Sequence, residues 1–380
     1  MDKDHELEDF IRICSNTLDS SLYPNATKIE QEVPIYDGDL VRKMAKEPVN
    51  RKTLASEFYR CLKSGSGIFI IGDFYSNKNI VDRSTEIFSQ IILAERRNRE
   101  HKGDHFAKAG ANERIWNSFQ KVAEISPSDF VEYYKNPLYR LISQAWLGPG
   151  YQITAQVNIV KPDGAAQSAH RDYHLGFQPD TIVARFPLSL QIASQYLTLQ
   201  GAIAHTDMPV ESGPTLLLPF SQLYEHGYLT WRNQSFSDYF QNHAIQLPLN
   251  KGDAIFFSPA VFHAAGHNQS IANRTANLIQ VSASFGKTME NIDRRALTLK
   301  CFPVIRERVA KNLMTPEEVK CIIGAVAEGY AFPTNLDQVT PVAGSAPENA
   351  QEIMSKAIGE DWSEEKFTET LNTHYHNRNA

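Results

Sequence analysis

Two histidines, an aspartate and an arginine carry the spacing in this sequence that most clearly could do chemistry. His170 and Asp172 flank Arg171, and on an extended backbone residues i and i+2 project to the same side. An imidazole and a carboxylate are therefore presented together. A histidine from a distant strand would complete a set of two imidazoles and one carboxylate on one face of a metal ion. The opposite face stays open, which suits iron(II) that must take up a co-substrate and O2. The stretch from Gly252 to Ser270 offers that third ligand: an apolar run ends at Ser258-Pro259, and His263 follows among apolar neighbours, where an unpartnered imidazole would be costly. His267 sits in a polar turn with Gly266 and Asn268 and reads as solvated. Arg274 opens the last apolar run. A buried guanidinium there would grip a carboxylate through two parallel hydrogen bonds; taken alone, it reads equally as a surface arginine at a strand start.

The pair His170/Asp172 has a rival, since His205-Thr206-Asp207 repeats the spacing. His205 ends an apolar run just before the loop MPVESGP, and loops of that composition hold carboxylates for local reasons. The metal is therefore expected at His170, Asp172 and His263. The run from Tyr151 to Val160 sets Thr154, Gln156 and Asn158 on one face. Polar residues alternating along a core strand suggest a wet pocket lining or a solvent-facing edge, and Gln200 poses the same choice. His174 reads either as a pocket residue or as a structural histidine. The aromatic stretch Tyr224–Phe240 lacks strand alternation and is expected to form a lid.

These side chains need a scaffold. From Tyr151 to about 286 the chain consists of short β-like runs separated by turn residues: 151–160, 181–193, 197–204, 214–219, 244–249, 253–258 and 276–285. Helical periodicity covers 51–64, 78–100 and 127–147 and returns after 303. The expected fold is mainly β with helical flanks. The expected division is an N-terminal extension over 1–50, one domain over 51–300 with its β core at 151–287, and a helical C-terminal extension over 301–380. Hydrophobic residues make up 42% and charged residues 22% of 380, with a net charge of −6. That balance gives no electrostatic footprint for nucleic acid or an anionic membrane. The four cysteines, Cys14, Cys61, Cys301 and Cys321, are too scattered for a disulfide framework. The polar N-terminus and the absence of roughly 18 consecutive apolar residues lead to an expectation of a cytoplasmic protein.

Taken together, the motifs resemble the phytanoyl-CoA dioxygenase family of 2-oxoglutarate oxygenases. The resemblance rests on His170–Asp172 with His174 and Phe177, on Glu211-Ser-Gly-Pro running into Leu218-Pro-Phe-Ser-Gln222, and on Gly252–Ser270 followed by Arg274. A looser match covers Leu62–Ser76. The resemblance implies a double-stranded β-helix, or jelly roll. It implies Fe(2+), 2-oxoglutarate and O2 as requirements, leaves room for ascorbate, and points to a small-molecule substrate oxidised with release of succinate and CO2. His170, Asp172 and His263 carry over as ligands and catalytic centre, and Arg274 as the clamp on the distal carboxylate of 2-oxoglutarate. Gln156 and Asn158 are its candidate further contacts. Because Asp172 is kept, hydroxylation is favoured over halogenation. Two departures stand out: a longer connection from Asp172 to Gly213, and Ala264-Ala265 where a small hydroxyl residue is common. A jelly-roll isomerase or hydrolase that needs no 2-oxoglutarate, or a non-catalytic binding relative, is the alternative.

Overall fold

The computed structural model describes residues 3–97, 112–339, 341 and 346–379. Its strands are β1 (Lys28–Glu30), β2 (Val33–Asp37), β3 (Ile68–Gly72), β4 (Asn112–Ile115), β5 (Gln152–Val160), β6 (Thr198–Ala204), β7 (Leu216–Leu218), β8 (Ala254–Phe257), β9 (Phe262–Ala264) and β10 (Arg274–Ser282). Eight of these form one sheet in the order β1-β2-β3-β8-β6-β10-β5-β4, and β7 pairs with β9. The sheet is mixed, because β2 and β3 run parallel while β10 is antiparallel to both β5 and β6.

A period of two sorts each central strand into two faces. Ile153, Ala155 and Val157 of β5, Leu199 and Ile203 of β6, Phe256 of β8, and Ile279 and Val281 of β10 belong to the main hydrophobic core. Helices Pro48–Ser64, Pro127–Tyr134, Pro137–Leu147 and Arg294–Ala310 supply the other half of that core. The opposite face carries Gln156, Asn158, Gln200, Ala202, Ile255, Phe257, Leu278 and Gln280, and it lines a cavity. The polar alternation read in β5 is thus a buried pocket wall and not a solvent-facing edge.

Several expectations need correction. Among the described residues helix outnumbers strand, so the fold is a mixed sheet with helices and not mainly β. The run 181–193 is helical, with turns of helix at Asp180–Val183 and Leu188–Gln195. Pro179 and Pro187 stand at their N-caps, and a proline inside a putative central strand argues against the strand. Residues 244–249 join the second layer only through isolated bridges at Ile245 and Leu249. The first fifty residues, expected as an N-terminal extension, supply β1 and β2, which extend the sheet. Their N-terminal helix, Lys3–Cys14, buries Phe10 against Phe236 and Phe262. The stretch Tyr224–Phe240 is a wall packed on that helix: Tyr224, Phe236 and Phe240 are buried beside Phe10. Helix 78–100 is seen over Lys78–Arg97, and its last expected turn lies outside the described residues. No helix among the described residues is long and apolar enough to cross a membrane.

Behind the cavity wall, Phe58 stacks on Phe69 at 4.7 Å and Phe69 on Phe256 at 5.6 Å. A Cβ on Gly201 would stand 2.6 Å from the Phe256 ring. Gly201→Val is therefore expected to destabilise the protein by about 1–3 kcal/mol through overpacking. Thermal unfolding reads this directly, and an unchanged midpoint would show that the Phe256 ring has room to give.

Candidate metal centre and its cavity

His170 and His263 are brought together by the backbone before their side chains matter. The two residues form an antiparallel bridge, with His170 N–H donating to the His263 carbonyl at 3.0 Å and His263 N–H returning the bond at 3.1 Å. Directly opposed residues on antiparallel segments point to the same side, and the ring centroids lie 4.4 Å apart. One strand further on, His263 opposes Leu217 of β7, which in turn bridges Ile245. This row faces the large sheet across the cavity. Asp172 enters two residues after His170, its N–H held by the Pro259 carbonyl at 3.0 Å.

Each imidazole is fixed in the same way. Nδ1 of His170 meets the Ser168 carbonyl at 2.9 Å, and Nδ1 of His263 meets the Val261 carbonyl at 2.8 Å. A carbonyl only accepts, so both Nδ1 atoms carry the proton and both Nε2 atoms present lone pairs. Those lone pairs turn toward Asp172: His170 Nε2 lies 3.6 Å from Oδ1 and His263 Nε2 3.4 Å from Oδ2. The three ligand atoms fall within 4.8 Å of one another, and Asp172 Oδ1 is buried without a hydrogen-bond partner among the described residues. Three converging acceptors repel unless a cation lies between them. An N2O donor set with no thiolate suits iron(II).

The electrostatics agree. Burial pulls the His170 imidazole below its usual range, with His263 adding to the effect, so the ring stays neutral and able to ligate. Burial alone would push the Asp172 carboxyl up. The Gln200 amide N–H opposes that rise, and positive charge between the two rings, whether protons on them or a metal cation in their place, holds the group well below the usual carboxylate range. Gln200 of β6 donates its Nε2–H to Asp172 Oδ2.

Arg171 points the other way and anchors the ligand pair from behind. It is 1% exposed, donates to the Ser221 and Tyr224 carbonyls, and lies 5.2 Å from both the Tyr228 and Phe262 rings. Burial brings its pKa down to about 10. Carbonyl hydrogen bonds and two aromatic faces offset part of a desolvation cost of several kcal/mol. The fit requires Gly227, whose Cβ would stand 1.9 Å from the guanidinium carbon.

Between the two layers lies a cavity of about 460 Å³. Arg274 lines it at the first residue of β10, among Met208, Pro214, Leu247 and Leu249. It is 6% exposed, and burial lowers its pKa to about 10. Its one hydrogen bond among the described residues runs from Nη1 to the Ser212 carbonyl at 3.3 Å, and no carboxylate pairs with it there. Gln156 and Asn158 face the same space. Gln156 Oε1 accepts from Arg114 at 2.8 Å and its Nε2 approaches the Met289 sulfur at 3.6 Å. Asn158 Oδ1 is buried without a partner among the described residues. Arg114 was not singled out in the sequence: β4 is four residues, NERI, all buried, with no alternation to flag it.

The other histidines fall elsewhere. His205 is saturated by Thr85 Oγ1 and Tyr133 Oη, each at 2.8 Å, and burial drives its imidazole down to about 3. Asp207 instead caps the Lys251 N–H. His267 is exposed, while Asn268 beside it ties the turn to Val160 and Ala272. His174 contacts Thr198 Oγ1 at 3.3 Å and borders a smaller apolar hollow, not the main cavity.

A family model described as phytanoyl-CoA dioxygenase matches residues 65–276, a span that contains His170, Asp172, His263 and Arg274. No curated protein matches the chain. Similar solved structures include the non-haem alpha-ketoglutarate-dependent epimerase SnoN from nogalamycin biosynthesis, at 16% identity over 63% of this chain and 85% of that one, TM-score 0.43. Another holds SnoN with Fe3+, alpha-ketoglutarate and nogalamycin RO, at 15% identity over 63% and 85%, TM-score 0.41. A third is the alpha-ketoglutarate-dependent carbocyclase SnoK, at 17% identity over 74% and 96%, TM-score 0.43.

Two outcomes are expected of metal titrations. His170→Ala or Asp172→Ala abolishes tight Fe(II) binding, whereas His205→Ala keeps it and loses thermal stability instead; the reverse pattern would assign the metal to the other pair. Gly227→Ala, which touches no ligand, weakens Fe(II) binding about tenfold or more by displacing Arg171, in the range known for residues that support metal ligands. Unchanged affinity in a folded Gly227→Ala protein would mean that the ligand pair does not need this anchor.

Proposed function

We propose, from the premise that this chain belongs to the phytanoyl-CoA dioxygenase family, that it hydroxylates an unactivated C–H bond of a small molecule and releases succinate and CO2. Membership makes it a 2-oxoglutarate-dependent non-haem iron dioxygenase. The observation that carries the finer reading is the meeting, in one cavity, of the acceptor cluster His170, Asp172, His263 with the buried guanidinium of Arg274.

The residues divide the work by position. His170 Nε2, His263 Nε2 and the Asp172 carboxylate would hold iron(II), each already oriented by the hydrogen bond behind it. Iron(II) bound there, with 2-oxoglutarate and O2, supplies the oxidising power that breaks the C–H bond. Arg274 offers a two-pronged donor set to the far carboxylate of 2-oxoglutarate, and the Ser212 carbonyl steadies its Nη1. Leu247, Leu249 and Ile255 keep water away from that end of the cavity, which strengthens the pairing. Gln156 is engaged with Arg114 and Met289, so Asn158 is the better placed of the two to touch the co-substrate directly. Asp172 fills the third protein position at the metal, which supports oxygen insertion over halide transfer.

We read the large sheet and the facing row His170–His263–Leu217–Ile245 as a double-stranded β-helix. Residues 51–300 form the catalytic unit, with its β core at 151–287 and both ends of the chain packed onto it. Four unpaired cysteines support a reducing, cytoplasmic setting. An isomerase or hydrolase on the same ligands would leave Arg274 buried without an anion, at a cost of several kcal/mol.

Arg274→Lys keeps the charge and loses the planar fork. The KM for 2-oxoglutarate is expected to rise about tenfold or more, equivalent to about 1.4 kcal/mol, while Fe(II) affinity stays within about twofold. Steady-state succinate release alongside iron titration measures both. A KM left unchanged in Arg274→Ala would remove the clamp and the case for 2-oxoglutarate with it.

A further inference from the structure

We infer that Phe257 is a self-hydroxylation site: when 2-oxoglutarate and O2 are consumed with no substrate in the cavity, the oxygen atom is delivered to the Phe257 ring. The inference rests on the dioxygenase reading and goes beyond it, because it concerns a covalent change in the protein itself.

Phe257 is placed against the ligands from two directions. Its ring meets the His263 imidazole edge-on, with centroids 4.9 Å apart and planes at 62°. Among the described residues, the two ligand imidazoles contact each other and no further aromatic ring but this one. Across the strand pair Phe257 opposes Gln200, whose amide N–H donates to Asp172. One ligand thus touches the ring, and another is held by the residue beside it. The ring lines the cavity and has no room to retreat, because β8 is paired on both sides, with Phe257 opposite Ile68 of β3 and Gln200 of β6. Phe256, the next residue back, projects to the other face and joins the main core. The period of two therefore sets one phenylalanine of β8 at the metal centre and the other behind the sheet.

The other oxidisable side chains of the cavity are placed differently. Trp231 lies under the Arg232 guanidinium at 3.9 Å, the Met289 sulfur is approached by Gln156 Nε2, and Met208 belongs to the apolar cluster of Leu247 and Leu249. A ring fixed beside the ligands has the proximity that lets an intramolecular reaction compete with solution chemistry. The balance is that of the proposed reaction with the ring as substrate. One oxygen atom of O2 passes into succinate as CO2 leaves, and the other is inserted into a ring C–H bond, which becomes C–OH. O2 takes up four electrons, two from 2-oxoglutarate and two from the ring.

The test incubates the full-length wild-type protein with Fe(II), 2-oxoglutarate, catalase and heavy-isotope O2, with no substrate added. Trypsin then releases the peptide Gly252–Arg274, which carries Phe256, Phe257 and Phe262. The expected result is a mass gain of one heavy oxygen atom that grows with time, is absent without 2-oxoglutarate and is located on Phe257 by fragmentation. The two neighbouring phenylalanines serve as controls on the same peptide. A gain on either of them, a gain only on another cavity residue, or no gain at all overturns the assignment. Succinate in the same samples separates that failure from failure of the dioxygenase reading: succinate without a labelled ring removes the self-hydroxylation alone, whereas no succinate and no binding of 2-oxoglutarate to the Fe(II) protein removes both. A second arm needs no turnover. In oxygen-free protein labelled with fluorophenylalanine, Mn(II) is expected to broaden the Phe257 resonance more than that of Phe58, which stands behind the stacked rings of Phe69 and Phe256. Each resonance is assigned by its loss in Phe257→Leu or Phe58→Leu, and an equal or weaker effect on Phe257 overturns its placement at the metal.

Discussion

The site depends on the pair of backbone hydrogen bonds exchanged by His170 and His263. They bring two imidazoles side by side from segments nearly a hundred residues apart in sequence. Everything else at the centre refines that bridge. The carbonyls of Ser168 and Val261 choose the tautomer. The i+2 rule brings Asp172 to the same side, and Gln200 and the Pro259 carbonyl hold it there. A metal that prefers two nitrogens and an oxygen meets a set already oriented, which is what preorganised ligands contribute to affinity.

Two buried arginines show how the fold separates structural from chemical charge. Arg171 and Arg274 are both almost wholly buried and both pulled down to about 10 by burial. Arg171 is surrounded by carbonyls and aromatic rings and needs Gly227 to fit. Arg274 has one long hydrogen bond to a carbonyl and a cavity in front of it. An anion entering the cavity gains little from the first and much from the second.

Much of the centre was legible in the sequence because its parts are local. The spacing of His170 and Asp172 and the placement of His263 after an apolar run and a proline need no long-range knowledge. Choosing against His205 rested on its loop, and the structure gives the firmer reason: Thr85 and Tyr133 already occupy both its nitrogens. A strand whose faces differ, such as β5, was readable from alternation. The run 181–193 was misread because its β-branched and apolar residues outweighed Pro187. β4 and the edge strands β1 and β2 are too short to carry a period, so Arg114 stayed hidden. The excess of helix was missed because residues outside 151–286 were treated as flanks, whereas they build half of the main core.

The central claim is that one cavity holds iron(II) at His170, Asp172 and His263 and 2-oxoglutarate at Arg274. The most direct measurement is visible absorption of the full-length protein without oxygen, as iron(II) and then 2-oxoglutarate are added. A weak metal-to-ligand charge-transfer band is expected with both present and with neither alone. Tight iron(II) binding with no such band at saturating 2-oxoglutarate would contradict the claim.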